Sequence, residues 1–439
     1  MKRISLIVCA VLGIAGCGKS VPTDVVVIDD DDAVEVAFED VATDIRIVPL
    51  ISDEPIGGCS ELHCYGNEVF MSDKSTEYLY YFVDGKLVST LHAVGRGPGE
   101  YIGITHFFYS PAKKQLYISA IGAIDATTTS LYIMKYSVPD MKYIGRVAFE
   151  GNLMGMACHD GDKIISYAVP PMDINAIIAG TATDTCRIQI SDVETGQTIK
   201  RLRDISYYDY LQGDLLLTSC DDMSNSFCVC DDVNKVFHYE GDKLEEAFAF
   251  TFGKKNIPQS HLDPYKGTQG LTNLFEFMMS DQAKDVLEGG FYPIVDGDRC
   301  SFWYHKALNN PYDHYYRYEN GNIVNYCGFR PKGMNMPILP KSVSGNGYVA
   351  IIEGTTDLKF KDSGERSDFS AQLEKTMNTQ NLNNPVLVYY NIKQYKGANA
   401  GGTNAAGTVL FANRTVPPAY VVYFSYVQIV FCQGLLNIM

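Results

Sequence analysis

One phrase recurs six times along this chain, and it restricts the fold more than any other feature of the sequence. The phrase is an apolar alternating strand, a turn, a second strand ending in aromatic or aliphatic residues, a Gly- or Asn-containing turn, and a third strand. It reads as VFMSDKSTEYLYYFVDGKLVSTL from Val69, then as QLYISAIG followed, after a Thr-rich loop, by SLYIMKYSVPDMKYIGRVAF. The third copy is KIISYAVP, a loop and CRIQISDVETGQTIKRL; the fourth, SFCVCDDVNKVFHYEGDKLEEAF from Ser226, is the most compact. The fifth is CSFWYHKALNNPYDHYYRYENGNIVNY from Cys300, and the sixth is GYVAIIEG, a long polar insert, then NPVLVYYNIKQY. A further short apolar strand precedes each copy, as from Gly58 to Cys64 or Leu153 to Cys158, which makes four strands per unit. The 30 tyrosines, set against one tryptophan, suit strands.

A four-stranded antiparallel sheet with two apolar faces cannot bury both alone. Radial packing covers each face with a neighbour and leaves only short edges. Six such units predict an all-β chain, a six-bladed β-propeller of four-stranded antiparallel blades over residues 34–394. The strand from Val34 to Phe38 is expected to complete the last blade and close the ring. A two-layer sandwich would not generate six similar copies.

The first residues carry a different message. Lys2 and Arg3 precede an apolar run from Ile4 to Ala15, too short to cross a bilayer as a helix, so residues 1–16 read as a signal peptide. The run ends in Ile14-Ala15-Gly16-Cys17, which resembles the lipobox of bacterial lipoproteins. In such proteins the thiol, here that of Cys17, receives the lipid and becomes the first residue of the mature chain. Acyl chains contribute about 0.8 kcal/mol per buried methylene, enough for a durable anchor without a spanning helix. Residues 17–33 are expected to be an acidic, lipid-proximal linker, with the run Asp29 to Asp32 solvated and holding the lipid end clear of anionic headgroups. The expected location is the cell envelope, at the outer membrane before the inner. Without Lys2 and Arg3 the chain keeps 34 basic against 52 acidic residues, which argues against a nucleic-acid partner.

The stretch DIRIVPL at Asp44, the unit VFMSDKSTEYLYYFVDGKLV, the loop GRGPGEY from Gly95 to Tyr101 and the closing NNPVLVYYNIK together resemble the NHL-like six-bladed β-propeller lipoproteins of Bacteroidetes. The resemblance covers about residues 34–394, and GRGPGEY is its most specific part. It implies a fold and an address rather than an activity. Residues 395–439 depart from the pattern: GANAGGTNAAG reads as a flexible linker, and the following AYVVYFSYVQIVF is apolar but interrupted by polar residues and preceded by Pro417 and Pro418. They are expected to form a poorly ordered extension.

Candidate chemistry is sparse. Gly95, Gly97 and Gly99 could cradle an anion beside Arg96, but Pro98 removes an amide donor and no helix signal follows. A tight connection between blades is the preferred reading, with Arg96 and Glu100 as the candidate ligand contacts. Cys59, His63 and Cys64 look metal-like, yet on a strand 59 and 63 share a face while 64 points the other way. Cys228 and Cys230 share a face but lack His or carboxylate partners nearby. No metal site is therefore assigned, and the remaining cysteines are expected to be apolar filler rather than a disulfide framework. No Gly-x-Ser-x-Gly elbow, His-Glu-x-x-His or Walker loop occurs.

Two functional classes follow. The first, preferred, is a non-catalytic binding or scaffold module whose loops meet a glycan, a peptide or an envelope protein, with the polar inserts Asp173 to Thr185 and Gly354 to Asn384 offering hydrogen bonds while burying little apolar surface. The second is a hydrolase or lyase of the lactonase or amidating-lyase sort, with a divalent cation in the central channel. The first class needs no cofactor.

Overall fold

The computed structural model describes residues 25–393. The segments 126–128, 150–151, 159–162, 170–185, 206–217, 220–224, 230–233, 241–242, 259–275, 278–279, 307–312, 355–365, 381 and 383 are excepted. Six sheets form. Blade one is Glu61–Tyr65, Glu68–Asp73, Tyr78–Val83 and Lys86–Leu91, from the innermost strand outward. Blade two is Gly103–Ser110, Gln115–Ala123, Thr129–Ser137 and Tyr143–Ala148. Blade three is Asn152–Cys158, Lys163–Val169, Cys186–Asp192 and Thr198–Ile205. Blade four is Thr218–Ser219, Asn225–Val229, Asn234–Glu240 and Lys243–Thr251. Blade five is Leu287–Asp296, Arg299–Lys306, His314–Glu319 and Asn322–Arg330. Blade six takes Ser342–Ser344, Gly347–Ile352 and Val386–Ile392 from the end of the chain and Ala42–Pro49 from its beginning. The fold is the expected six-bladed β-propeller.

Closure differs from the expectation in one respect. The closing strand is Ala42–Pro49, whose register runs antiparallel from Val386↔Pro49 to Ile392↔Ala42. Val34–Ala37 instead lies parallel to the outer strand of blade five, with Val34 opposite Tyr326. Val34–Ala37 thus extends blade five in parallel, and the position beside Val386–Ile392 that closes blade six is taken by Ala42–Pro49. Phe38 begins a helical turn, Phe38–Val41, and is fully buried against Phe369 and Tyr390 at ring-centroid distances of 4.9 and 5.1 Å.

Upstream, Val26–Val27 adds in parallel to the outer strand of blade four. Residues 26–37 therefore form a strap over the outer edges of two blades before the chain crosses to close a third. Between the two parallel strands the aspartate run makes a 3-10 turn in which Asp31 and Asp32 are exposed, as a solvated run requires, but Asp30 is buried against the ring. The Lys255 ammonium lies 2.7 Å from Asp29 Oδ1 and 3.1 Å from Asp31 Oδ2, and it also donates to Asp30 Oδ1. Lys306 reaches Asp30 Oδ2 at 3.2 Å, and the Asp30 side chain is only 4% exposed. Two lysines from blades four and five attract the carboxylates onto the ring.

The repeated turns have a steric logic. Gly85, in the Asp84-Gly85 turn of blade one, has φ +76°, and a Cβ there would lie 2.5 Å from the carbonyl oxygen of Pro49 on the outer strand of blade six. The hairpin can approach its neighbour only without a side chain.

Apolar cores fill the spaces between blades: Phe70, Leu79, Tyr101, Phe107 and Met134 between the first two, and Trp303, Tyr315, Tyr348 and Val388 between the last two. The insert from Gly354 to Asn384 was expected to bury little, yet within it Asp368–Thr379 is a helix. Ser367 caps it, its hydroxyl accepting from Ser370 N at 3.0 Å, and Phe369 and Leu373 are buried against the blade-six core. The i, i+4 spacing of these two apolar residues places them on one face, which is what docks the helix. No helix among the described residues is long and apolar enough to cross a membrane. Residues 1–24 with Cys17, the insert Asp173 to Thr185, the side chains of Cys228 and Cys230, and the extension 395–439 lie outside the described residues.

Candidate functional site

The GRGPGEY loop joins the outer strand of blade one to the inner strand of blade two, as expected from the sequence. It is closed by Gly95 N donating to Tyr101 O and Tyr101 N to Ala93 O, both at 2.9 Å. The two candidate contacts turn to different partners. Glu100 Oε2 accepts from Gly97 N at 2.7 Å, while Arg96 Nη1 donates to the carbonyl of Asp125 at 3.1 Å. Tyr101 is fully buried, its hydroxyl donating to Glu77 O at 3.0 Å, and burial pushes that hydroxyl up to about 12. The residue that requires glycine is Gly99: its φ is +80°, and a Cβ would meet the Tyr143 ring at 2.7 Å. Its carbonyl accepts from the Tyr136 hydroxyl at 3.0 Å.

Where the inner strands of blades one and two meet, the structure assembles a cluster that the sequence does not announce. Glu61, on the innermost strand of blade one, receives His63 Nε2 on Oε1 at 2.9 Å. Its other oxygen lies 3.4 Å from Nδ1 of His106, on the inner strand of blade two, and 3.6 Å from the Lys74 ammonium. Burial alone would raise the Glu61 carboxyl, but His106, Lys74 and His63 outweigh it and hold the group well below the usual carboxylate range. Edge-on contact with Phe107 at 4.7 Å fixes the His63 ring. A second pair lies on blade five, where His305 Nε2 is 3.5 Å from Glu288 Oε2 and Phe291 abuts the imidazole. The alternation Glu61-Leu62-His63 was a readable signal for a shared face; His106, from another blade, was not.

The metal-like cysteines do not assemble. Cys64 packs into the core shared by blades one and six, Cys59 sits at its border, and burial pushes the Cys59 thiol up to about 12. Among the described residues one set, Asp29, Asp30 and Asp31, brings three ligand oxygens within 4.8 Å of one another, and the Lys255 ammonium already bridges all three.

Comparison with known proteins agrees with this architecture. A crystal structure of a Bacteroides fragilis protein taken to be exported superposes with a TM-score of 0.55 at 16% identity, covering 82% of this chain and 98% of that one. The chain is also similar to the β-propeller domain of the trilobed protease from Pyrococcus furiosus, at 11% identity, TM-score 0.32, and 70% and 84% coverage. BamB from Moraxella catarrhalis aligns at 9% identity, TM-score 0.35, and 80% and 99% coverage. No curated protein matches the chain. The family model described as "6-bladed beta-propeller" matches residues 18–288, more than half of the sequence. With six four-stranded sheets closed by its own N-terminal strand, this chain belongs to the six-bladed beta-propeller family.

Proposed function

We propose that the protein is an exported lipoprotein of the NHL-like type, anchored through Cys17 to the envelope, at the outer membrane, whose propeller binds a glycan, peptide or envelope protein without chemical turnover. The address rests on the segment Lys2 to Cys17 and its small residues before the cysteine. The observation that carries the binding reading is the state of the carboxylates on the inner strands. Glu61 lies at ion-pair distance from two imidazoles and an ammonium, its Oε2 making no hydrogen bond, and Glu288 from His305, so each carboxylate is charge-matched by neighbouring side chains, as in a structural ion-pair cluster. Arg96 and Glu100 hold the blade connection first, through Asp125 and Gly97, and ligand contact by either would be additional to that task.

Screening the full chain against glycans and neighbouring envelope proteins, together with metal content and lactone or ester turnover, separates the two classes. Saturable binding without turnover is the expected result. Chelator-sensitive turnover by a channel-bound divalent ion would replace this reading with the hydrolase or lyase alternative.

A further inference from the structure

Exposed apolar side chains are not spread evenly over the ring. Among the described residues fourteen large ones are exposed, and six of them, Val94, Ile102, Ile121, Ile124, Tyr143 and Ile144, belong to blade two and the connection that enters it. Five of the six border the GRGPGEY loop. Val94 bridges Tyr101 in parallel, and Ile102 N donates to Ile121 O at 2.7 Å. Ile124 precedes Asp125, whose carbonyl accepts from Arg96, and the Tyr143 ring lies against Gly99. The charged side chains of the loop are already engaged by backbone groups, Glu100 by Gly97 N and Arg96 by Asp125 O. What remains open to solvent is mainly aliphatic and offers a sugar no hydrogen bond. A concentration of exposed apolar groups of this kind marks a contact surface for other apolar groups.

The chain itself carries a segment of matching chemistry. From Thr415 to Met439 it has no Asp, Glu, Lys or Arg, and ten of the thirteen residues in 419–431, AYVVYFSYVQIVF, are β-branched or aromatic. This segment lies outside the described residues and follows the Gly- and Ala-rich stretch 397–407. Lys393, the last described residue, is fastened to the start of blade six: its amide donates to Val41 O and its ammonium to Asp40 O, both at 2.8 Å. Twenty-six residues lead from Lys393 to Ala419. A Gly-rich coil of that length has a root-mean-square reach of about 28 Å and a full extension of about 85 Å, so blade two, the second along from blade six, is within its range. Tethering also holds the segment near the surface at an effective concentration on the order of a millimolar, which favours it over a free partner.

We infer that residues 419–431 dock on the apolar surface around the GRGPGEY loop of the same chain, covering Val94, Ile102, Ile124 and Tyr143. This docking would replace the free extension expected from the sequence. It depends neither on a lipid at Cys17 nor on an outside ligand, and a polypeptide partner that used the same loop would have to displace the segment first.

The test is photocross-linking of the full chain in intact cells, with p-benzoylphenylalanine placed at Ile124 or at Tyr143 and the products mapped by mass spectrometry. Links from both positions to residues 419–431 are expected, in a product that keeps the mass of one chain in denaturant. The same probe at Ile323, exposed on the outer strand of blade five, should give far fewer. Val422→Asp combined with Val427→Asp changes only the segment, so the ring should melt as before by Trp303 fluorescence while the yield falls at least about tenfold, because docking would then desolvate two carboxylates. Links only to a second copy or to other proteins, an equal yield from Ile323, or a yield untouched by the two aspartates would overturn the inference.

Discussion

At the scale of single residues the structure assigns to Gly99 what the sequence shared among three glycines. Gly97 has an ordinary backbone and a Cβ there would meet only the flexible Glu100 carboxylate at 3.1 Å, whereas Gly99 combines φ +80° with the Tyr143 ring. Gly99→Ala is therefore expected to cost about 1–3 kcal/mol and to lower the melting temperature by a few degrees, with Gly97→Ala costing clearly less. Equal losses would reject this assignment. Glu61 makes a second residue-scale prediction. Its carboxyl is held well below its ordinary 4.5 in the folded state, so its stabilisation is fully present above about 4.5 and is lost as pH falls through the lower folded value. Glu61→Gln should thus destabilise at neutral pH by about 3 kcal/mol, and urea titrations of the two proteins should converge as the pH is taken below 4.5. A gap that persists unchanged in acid would show that the Glu61 ion pairs are not its source. Such contacts were hidden in the sequence for a plain reason: Glu61 and His106 are 45 positions apart, and Arg317 looks like any exposed strand arginine until blade six covers it.

At the scale of elements, strands were legible because alternation is local, and each compact copy, Ser226 to Phe248 for example, carries its own turns. Which N-terminal strand closes the ring was not. Val34–Ala37 and Ala42–Pro49 both read as short apolar strands, and the choice depends on a register with residues 386–392 at the other end of the chain. The aspartate run misled for a related reason, since its partners Lys255 and Lys306 are more than two hundred residues away. Asp30→Ala should loosen the strap, and limited proteolysis should then cut within residues 25–37 while the blades resist. Protection equal to that of the parent chain would show that the parallel strands alone hold it. The helix Asp368–Thr379 sits in a polar stretch where Phe369 and Leu373 were outnumbered; Leu373→Ala, at a fully buried position, is expected to cost about 2–5 kcal/mol in denaturant unfolding.

At the scale of the whole molecule, the joining of residues 42–49 to 386–392 makes the ring one cooperative object, since every blade then has two neighbours. Trp303, the single tryptophan, is fully buried between blades five and six and reports on that closure. Removing the chain through Pro49 should abolish the sharp melting of Trp303 fluorescence, and a truncated chain that melts as before would show that closure contributes little. Localisation belongs to this scale as well. Cys17→Ala should move the protein from the membrane to the soluble fraction, and unchanged sedimentation with membranes would remove the lipid from the account.

The strap has a bearing on how the ring meets its surroundings. Nine residues lead from Cys17 to Val26, a leash of at most about 32 Å, and Val26 is fastened to the rim of blade four. A lipid on Cys17 would therefore hang the wheel by its circumference, leaving neither mouth of the channel pressed against the bilayer by the attachment itself. In a ring of six, blade one stands diametrically opposite blade four, so the loop that follows it, GRGPGEY, lies on the far side of the ring from the point of suspension. A partner arriving from the aqueous side would meet that quadrant first, while one rooted in the same membrane would have to climb over the wheel to reach it.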